Sequence, residues 1–104
     1  FERFEVELTR DAEKDLKRFL PWQVRATRAI ARLENDPHLG HPLRGSLRGA
    51  RSLEFSLKGS GVYRAVYVVF DDRRVCPIFI IGPHENIYDE AERRIAALRR
   101  SGQL

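Results

Sequence analysis

Apolar and polar residues alternate at the start of the chain, with Phe4, Val6 and Leu8 interleaved by Glu5 and Glu7. A period of two marks a strand with one buried face. The period then becomes helical. Thr9 suits the N-cap of a first helix, along which Ala12, Leu16, Phe19 and Leu20 fall on one face. Pro21 stops that helix and suits the first turn of the next. In the second helix Trp22, Ala26, Ile30 and Leu33 form the apolar stripe, and Arg25, Arg28 and Arg32 gather opposite. The two helices predict a hairpin whose apolar faces can cover a sheet.

Asn35-Asp36-Pro37 ends the second helix, and residues 37–50, rich in Gly, Pro, His and Arg, predict an ordered loop. Leu53, Phe55 and Leu57 alternate with Ser52, Glu54 and Ser56 as a second strand. Lys58-Gly59-Ser60-Gly61 predicts the hairpin turn into a third strand, Val62 to Phe70, apolar on both faces and therefore central. Asp71 to Arg74 turns the chain into a fourth strand, Val75 to Ile81. Pro77 has no N–H for the ladder, so this strand is expected at an edge or bulged near Pro77. Asn86 suits the cap of a last helix. Its apolar stripe is Ala91, Ile95 and Leu98, with Asp89–Arg93 and Glu90–Arg94 in i,i+4 register, and Arg99 and Arg100 suit the negative end of its dipole. The order is β-α-α-β-β-β-α, an α+β fold with a small twisted antiparallel sheet, an N-terminal helical hairpin packed on it and a C-terminal helix.

A chain of 104 residues predicts a single domain spanning 1–104. With 42% apolar residues the core is modest. No apolar run approaches the ~18 residues of a membrane span, and no signal peptide is expected. The absence of an initial Met leads us to expect a trimmed or processed chain. A lone cysteine, Cys76, has no internal disulfide partner, which fits a reducing cytoplasm. The formal charge is +4, and the basic residues are sixteen arginines and three lysines. The arginine fork suits phosphate, so the partner expected is anionic, a nucleic acid or an acidic protein. His38 and His41 form an H-x-x-H pair, but without a third ligand they predict no metal site, and no cofactor is expected.

These residues, taken in order, resemble the RelE/ParE superfamily of type II toxin–antitoxin toxins. The resemblance rests on Leu8-Thr9 through Leu16, Leu39-Gly40-His41-Pro42-Leu43-Arg44-Gly45, Leu53-Glu54-Phe55, Val62-Tyr63-Arg64-Ala65-Val66-Tyr67, Ile81-Gly82-Pro83-His84-Glu85 and Ile87-Tyr88-Asp89-Glu90-Ala91. It spans nearly the whole chain and is carried by order and spacing rather than by any single piece. RelE-like members cleave messenger RNA, usually on the ribosome. ParE-like members poison DNA gyrase and lack the nuclease residues. The resemblance implies a toxin with an acidic antitoxin as its partner, and Arg64, His84, Tyr88 and Glu54 at the positions of a nuclease site. The chain departs from the lysine-rich RelE prototype, having no lysine on its second strand, and looks closer to members that use Glu and His.

RNA cleavage of this kind requires removal of the 2′-hydroxyl proton, stabilisation of the phosphorane charge and protonation of the 5′-oxygen. Arg64, with a permanent charge, suits the second task. As a purely structural residue it would instead be an inward arginine paired with Glu54. His84 exchanges protons near neutral pH, and a following helix N-terminus would lower its pKa. It can equally be an exposed loop histidine. Tyr88 suits stacking on a base or binding phosphate, or core packing beside Ile87 and Ala91. Glu54 is either a base or an ordinary exposed strand residue. Arg44, Arg48, Arg51 and Lys58, with Arg25, Arg28 and Arg32, are the candidates for gripping RNA or the ribosome, or else a solvated charged surface. The expectation is a cytoplasmic, metal-independent endoribonuclease, with a gyrase inhibitor without nuclease activity as the alternative.

Overall fold

The opening alternation forms strand β1 (Glu5–Leu8), and Thr9 then caps helix α1 (Arg10–Lys17) by accepting from the Ala12 N–H at 3.2 Å. The computed structural model describes residues 3–18, 21–83 and 87–102. Phe19 and Leu20, expected on the α1 stripe, and the expected cap Asn86 lie outside the described residues. Helix α2 (Gln23–Ala31) follows and ends in a turn of 3-10 helix, Arg32–Glu34. The sheet continues with β2 (His41–Pro42), β3 (Ala50–Leu57), β4 (Gly61–Val68) and β5 (Val75–Pro83), and helix α3 (Ile87–Arg100) closes the described chain.

The fold class expected from the sequence holds, with two differences in the sheet. Its order is β1-β5-β4-β3-β2, and β1 runs parallel to β5, so the sheet is mixed rather than wholly antiparallel. No hairpin joins β1 to β5; the whole intervening chain does, which leaves their direction free of the antiparallel constraint that short turns impose. The second difference is β2, two residues inside the expected loop that pair with Arg51 and Ser52. The third predicted strand is central as expected, with β3 on one side and β5 on the other.

Pro77 sits in an internal strand, and the ladder beside it is irregular. Val66 faces Ile80 but Tyr67 faces Ile78, which leaves Phe79 over as a bulge. The bulge resets the alternation of β5. Ile78 and Ile81 point to the α1–α2 side, whereas Phe79 and Ile80 both join the α3 side. Two cores result. Ala12, Leu16, Ala26, Ile30 and Leu33 cover one sheet face, and Ile87, Ala91 and Ile95 of α3 cover part of the other. Each fully buried Leu or Ile contributes roughly 1.5–3 kcal/mol.

The segment expected as an ordered loop is held by polar contacts. The Tyr67 hydroxyl is buried, accepts from Gly40 N at 2.9 Å and donates to Pro37 O at 2.7 Å. Burial raises its pKa above the ordinary phenol value. Arg51 donates to Gly40 O and His38 O, both at 2.9 Å. Gly40 is required by close approach, since a Cβ there would stand 2.7 Å from Ser52 O and 2.8 Å from the Tyr67 hydroxyl. Cys76 is fully buried as expected, and burial pushes its thiol up to about 11. No helix among the described residues is long and apolar enough to cross a membrane.

Candidate functional site

Strand register builds the site. Glu54 on β3 stands directly opposite Arg64 on β4, and Arg64 in turn stands opposite Gly82 on β5. Ser52 and Glu54 share a face by the two-residue period of the strand, and that face is the one α3 partly covers. Tyr88, in the first turn of α3, comes down onto the same place. The result is a cluster drawn from two strands and a helix, at the point where the cover of α3 ends and the sheet opens.

The guanidinium of Arg64 is at its centre. Nη2 donates to Glu54 Oε1 at 2.7 Å, and Nη1 donates to the Tyr88 hydroxyl at 2.5 Å. The Arg64 side chain is only 13% exposed while that of Glu54 is 52% exposed. The cation is therefore held inside, and its counter-charge stands at the surface. Arg64 Cζ lies 5.7 Å from the centre of the Tyr88 ring, within cation–π range. Arg64 Nε is buried with no partner among the described residues. Leaving a buried donor unpaired costs roughly 1–3 kcal/mol, and such groups in native structures are worth a functional explanation.

The sequence-predicted residues are thus only partly brought together. Arg64, Glu54 and Tyr88 form one cluster. His84 lies outside the described residues, as does Glu85. Arg44 and Arg48 are exposed on the α3 side, but they flank the far end of that helix, where Arg99 donates to Arg48 O at 3.5 Å. Lys58 is exposed in the β3–β4 turn. Arg25, Arg28 and Arg32 belong to the opposite side of the sheet, with Arg25 lying 5.3 Å from the Trp22 ring centre and Arg32 Nε bonded to Ala29 O. Arg51 also points to that opposite side, and its guanidinium is committed to two loop carbonyls. Arg51, a candidate for gripping RNA, buttresses the Pro37–Leu43 segment. His38 Nε2 is 3.7 Å from Asp71 Oδ1, and no group of three potential metal ligands occurs among the described residues.

Three residues take part in contacts that the sequence did not predict, although the Glu90–Arg94 pair is present as expected. Ser52, fully buried, lies 3.3 Å from the Tyr88 hydroxyl through its Oγ. Nothing in a strand that reads Ser-Leu-Glu-Phe-Ser distinguishes Ser52 from Ser56. Asp15 and Arg94 are the others. Asp15 is buried, accepts from Ile81 N at 3.0 Å and takes both Nη atoms of Arg94, at 2.7 and 3.2 Å. A signal for Asp15 was present: it shares the stripe of Ala12 and Leu16 at helical spacing, and an acid on an apolar stripe demands a cationic partner. Arg93 also departs from expectation, bonding Glu90 three residues back rather than Asp89.

A hollow of about 510 Å³ between the start of α1 and the outer side of α3 is lined by Thr9, Arg10, Phe79, Arg93 and Leu98 among others. It shares no residue with the Arg64 cluster. An open sheet face, rather than an enclosed pocket, suits a reaction on a large substrate.

Residues 6–92 match the model of a family described as the ParE-like toxin of type II bacterial toxin–antitoxin systems. No curated protein sequence matches the chain. Among solved structures, a chain of the toxin–antitoxin complex RelBE2 from Mycobacterium tuberculosis is similar at 27% identity and a TM-score of 0.67, over 79% of this chain and 99% of that one. A doubly substituted Escherichia coli toxin RelE in the free state reaches a TM-score of 0.69 at 20% identity, over 94% of this chain and 99% of that one. The YoeB/ParE toxin from Agrobacterium tumefaciens gives 0.60 at 19%, over 78% of this chain and 99% of that one. At those identities the last two speak for the fold alone.

Proposed function

Because the chain belongs to the ParE-like toxins of type II bacterial toxin–antitoxin systems, we propose that it arrests growth as a ribonuclease of the RelE kind. It would cleave messenger RNA, on the ribosome, by attack of the 2′-hydroxyl on the adjacent phosphate. The observation that carries this reading is the Arg64 cluster, a nearly buried guanidinium held between a carboxylate and a phenol on the open part of the sheet.

In this mechanism Arg64 meets the charge that builds on the phosphorane oxygens, a task for a fixed cation in a place sheltered from water. Glu54, half exposed beside it, accepts the 2′-hydroxyl proton. His84 follows β5 directly in sequence and supplies the proton for the departing 5′-oxygen. No step calls on a metal ion. The exposed Arg44, Arg48, Lys58, Arg25, Arg28 and Arg32 surround the domain on several sides, an arrangement that suits ribosomal RNA, which can touch many sides at once. The partner that silences the toxin is an acidic antitoxin, and the setting is the cytoplasm.

A second reading, inhibition of DNA gyrase without nuclease chemistry, is favoured by the ParE-like character of the matching family model. The two separate cleanly in one experiment. Purified protein is added to an in vitro translation reaction, whose message is mapped by primer extension, and in parallel to a gyrase supercoiling assay. The nuclease reading predicts discrete cuts within codons and unimpaired supercoiling. Intact message with blocked supercoiling would replace it with the gyrase reading.

A further inference from the structure

We propose that Ser52 is a positioning residue that acts on Arg64 through Tyr88, and that the Tyr88 phenol holds the guanidinium rather than moving a proton. The proposal rests on the reading of Arg64 as the cation that meets the scissile phosphate.

A guanidinium carries donors only. Across the 2.5 Å contact between Arg64 Nη1 and Tyr88, the phenol oxygen must therefore accept. Its own proton has to be directed elsewhere, and among the described residues Ser52 Oγ, at 3.3 Å, is the acceptor in reach. The relay is thus oriented, Arg64 to Tyr88 to Ser52. A phenol oriented this way turns its lone pair to Arg64 and its proton away from the open face, so proton transfer to substrate is left to other groups.

Ser52 is suited to be the fixed end of that relay. It is fully buried, so water does not compete for its hydroxyl. Its backbone is paired on both sides, with His41 on β2 and with Val66 on β4. Gly40 packs so closely on the Ser52 carbonyl that a Cβ there would stand 2.7 Å from it. The other partner of Arg64 is different in kind, for Glu54 is half exposed and free to respond to substrate. One side of the guanidinium is therefore anchored to the sheet interior and the other is adjustable.

The test is a double-mutant cycle on single-turnover cleavage of message, with parent, Ser52→Ala, Tyr88→Phe and the double variant. Each single change should slow cleavage on the order of tenfold, the worth of a hydrogen bond to a charged network. The double variant should be no slower than Tyr88→Phe alone, and the half-saturating substrate concentration and the shape of the pH–rate curve should stay those of the parent. Ser52→Cys keeps the size and loses the hydroxyl, and should behave as Ser52→Ala. Multiplying losses in the double variant, a parent rate in Ser52→Ala and Ser52→Cys, or a Tyr88→Phe pH curve with one limb missing would each overturn the proposal. Rotation of the Arg64 guanidinium about Nε–Cζ, followed by nitrogen NMR, provides a readout that needs no cleavage. It should be slow in the parent and equally faster in Ser52→Ala and Tyr88→Phe, and an unchanged rate in Ser52→Ala would overturn the relay. If the parent cuts no message the nuclease reading fails, while the rotation rates still decide whether Ser52 fixes Arg64.

Discussion

Arg64 and Arg94 lie on the same side of the sheet, are 13% and 15% exposed, and each makes a 2.7 Å bond to a carboxylate. What surrounds them differs. Every nitrogen of Arg94 has a partner: Nε bonds Glu90, Nη1 bonds Asp15 and Phe79 O, and Nη2 bonds Asp15. Burial works against its charge, and the bonds to Asp15 and Glu90 outweigh that, so its pKa lies above the ordinary guanidinium value. Arg64 has one carboxylate oxygen, one phenol and an unpaired Nε among the described residues. Its carboxylate stands at the surface, whereas Asp15, the acid facing Arg94, is itself buried. A fully satisfied cation ties α1, β5 and α3 together. Arg64 lacks that full set among the described residues, and in the proposed reading it meets the scissile phosphate. The contrast teaches that burial of a charge alone does not identify a site; the completeness of its partners does.

The largest effect is expected at Asp15. Asp15→Ala would leave Arg94 buried and without its main counter-charge, a change that typically costs about 3–5 kcal/mol. Urea unfolding should show that loss, and a loss under about 1 kcal/mol would make Arg94 no different from Arg64. A third arginine, Arg51, is also tied to the fold, through the Gly40 and His38 carbonyls. Gly40→Ala would force Cβ onto the Ser52 carbonyl and the Tyr67 hydroxyl, with an expected cost of about 1–3 kcal/mol. An unchanged unfolding midpoint would mean that this segment is not locked. Glu54→Ala should move stability by no more than ~1 kcal/mol, because Glu54 is itself half exposed and solvent screens its pairing with Arg64. The smallest effect is expected at Glu90. Hydrogen bonds from Arg93 and then Arg94 hold its carboxyl below the usual range. A depressed carboxylate stabilises above its unfolded pKa, near ~4.3, and that contribution fades as pH falls through the folded value. The difference in urea midpoint between the parent and Glu90→Gln should therefore shrink on acidification; a gap that widens below about pH 4 would reverse the sign.

Much of the fold was legible because period alone specifies it. Ala12, Leu16, Ala26, Ile30 and Leu33 on helical spacing, and Leu53, Phe55 and Leu57 on strand spacing, all lie in one core. Thr9 as a cap followed from side-chain chemistry. Pro77 announced the bulge, since its missing donor needs a ladder irregularity nearby. The parallel pairing of β1 with β5 was not legible, because it joins residues about seventy positions apart and no local turn dictates direction. In the site, Arg64 and Glu54 could be placed on neighbouring strands, but their direct opposition depends on the hairpin register. Tyr88 could be placed at a helix start but not its docking on Arg64, which requires the angle of α3 on the sheet. Ser52 was invisible for the same reason: its role exists only through a contact across the fold.

In the proposed mechanism Arg64 serves an anion while Arg94 serves the fold, and Arg64→Ala separates the two roles. Primer-extension mapping of message in a translation reaction should show the cleavage rate fall by about 10²–10³, the usual loss for one preorganised transition-state contact. Thermal unfolding of the same variant should stay close to that of the parent. Cleavage at the parent rate, or a collapse of stability that accounts for the lost activity, would mean that Arg64 does not meet the phosphate.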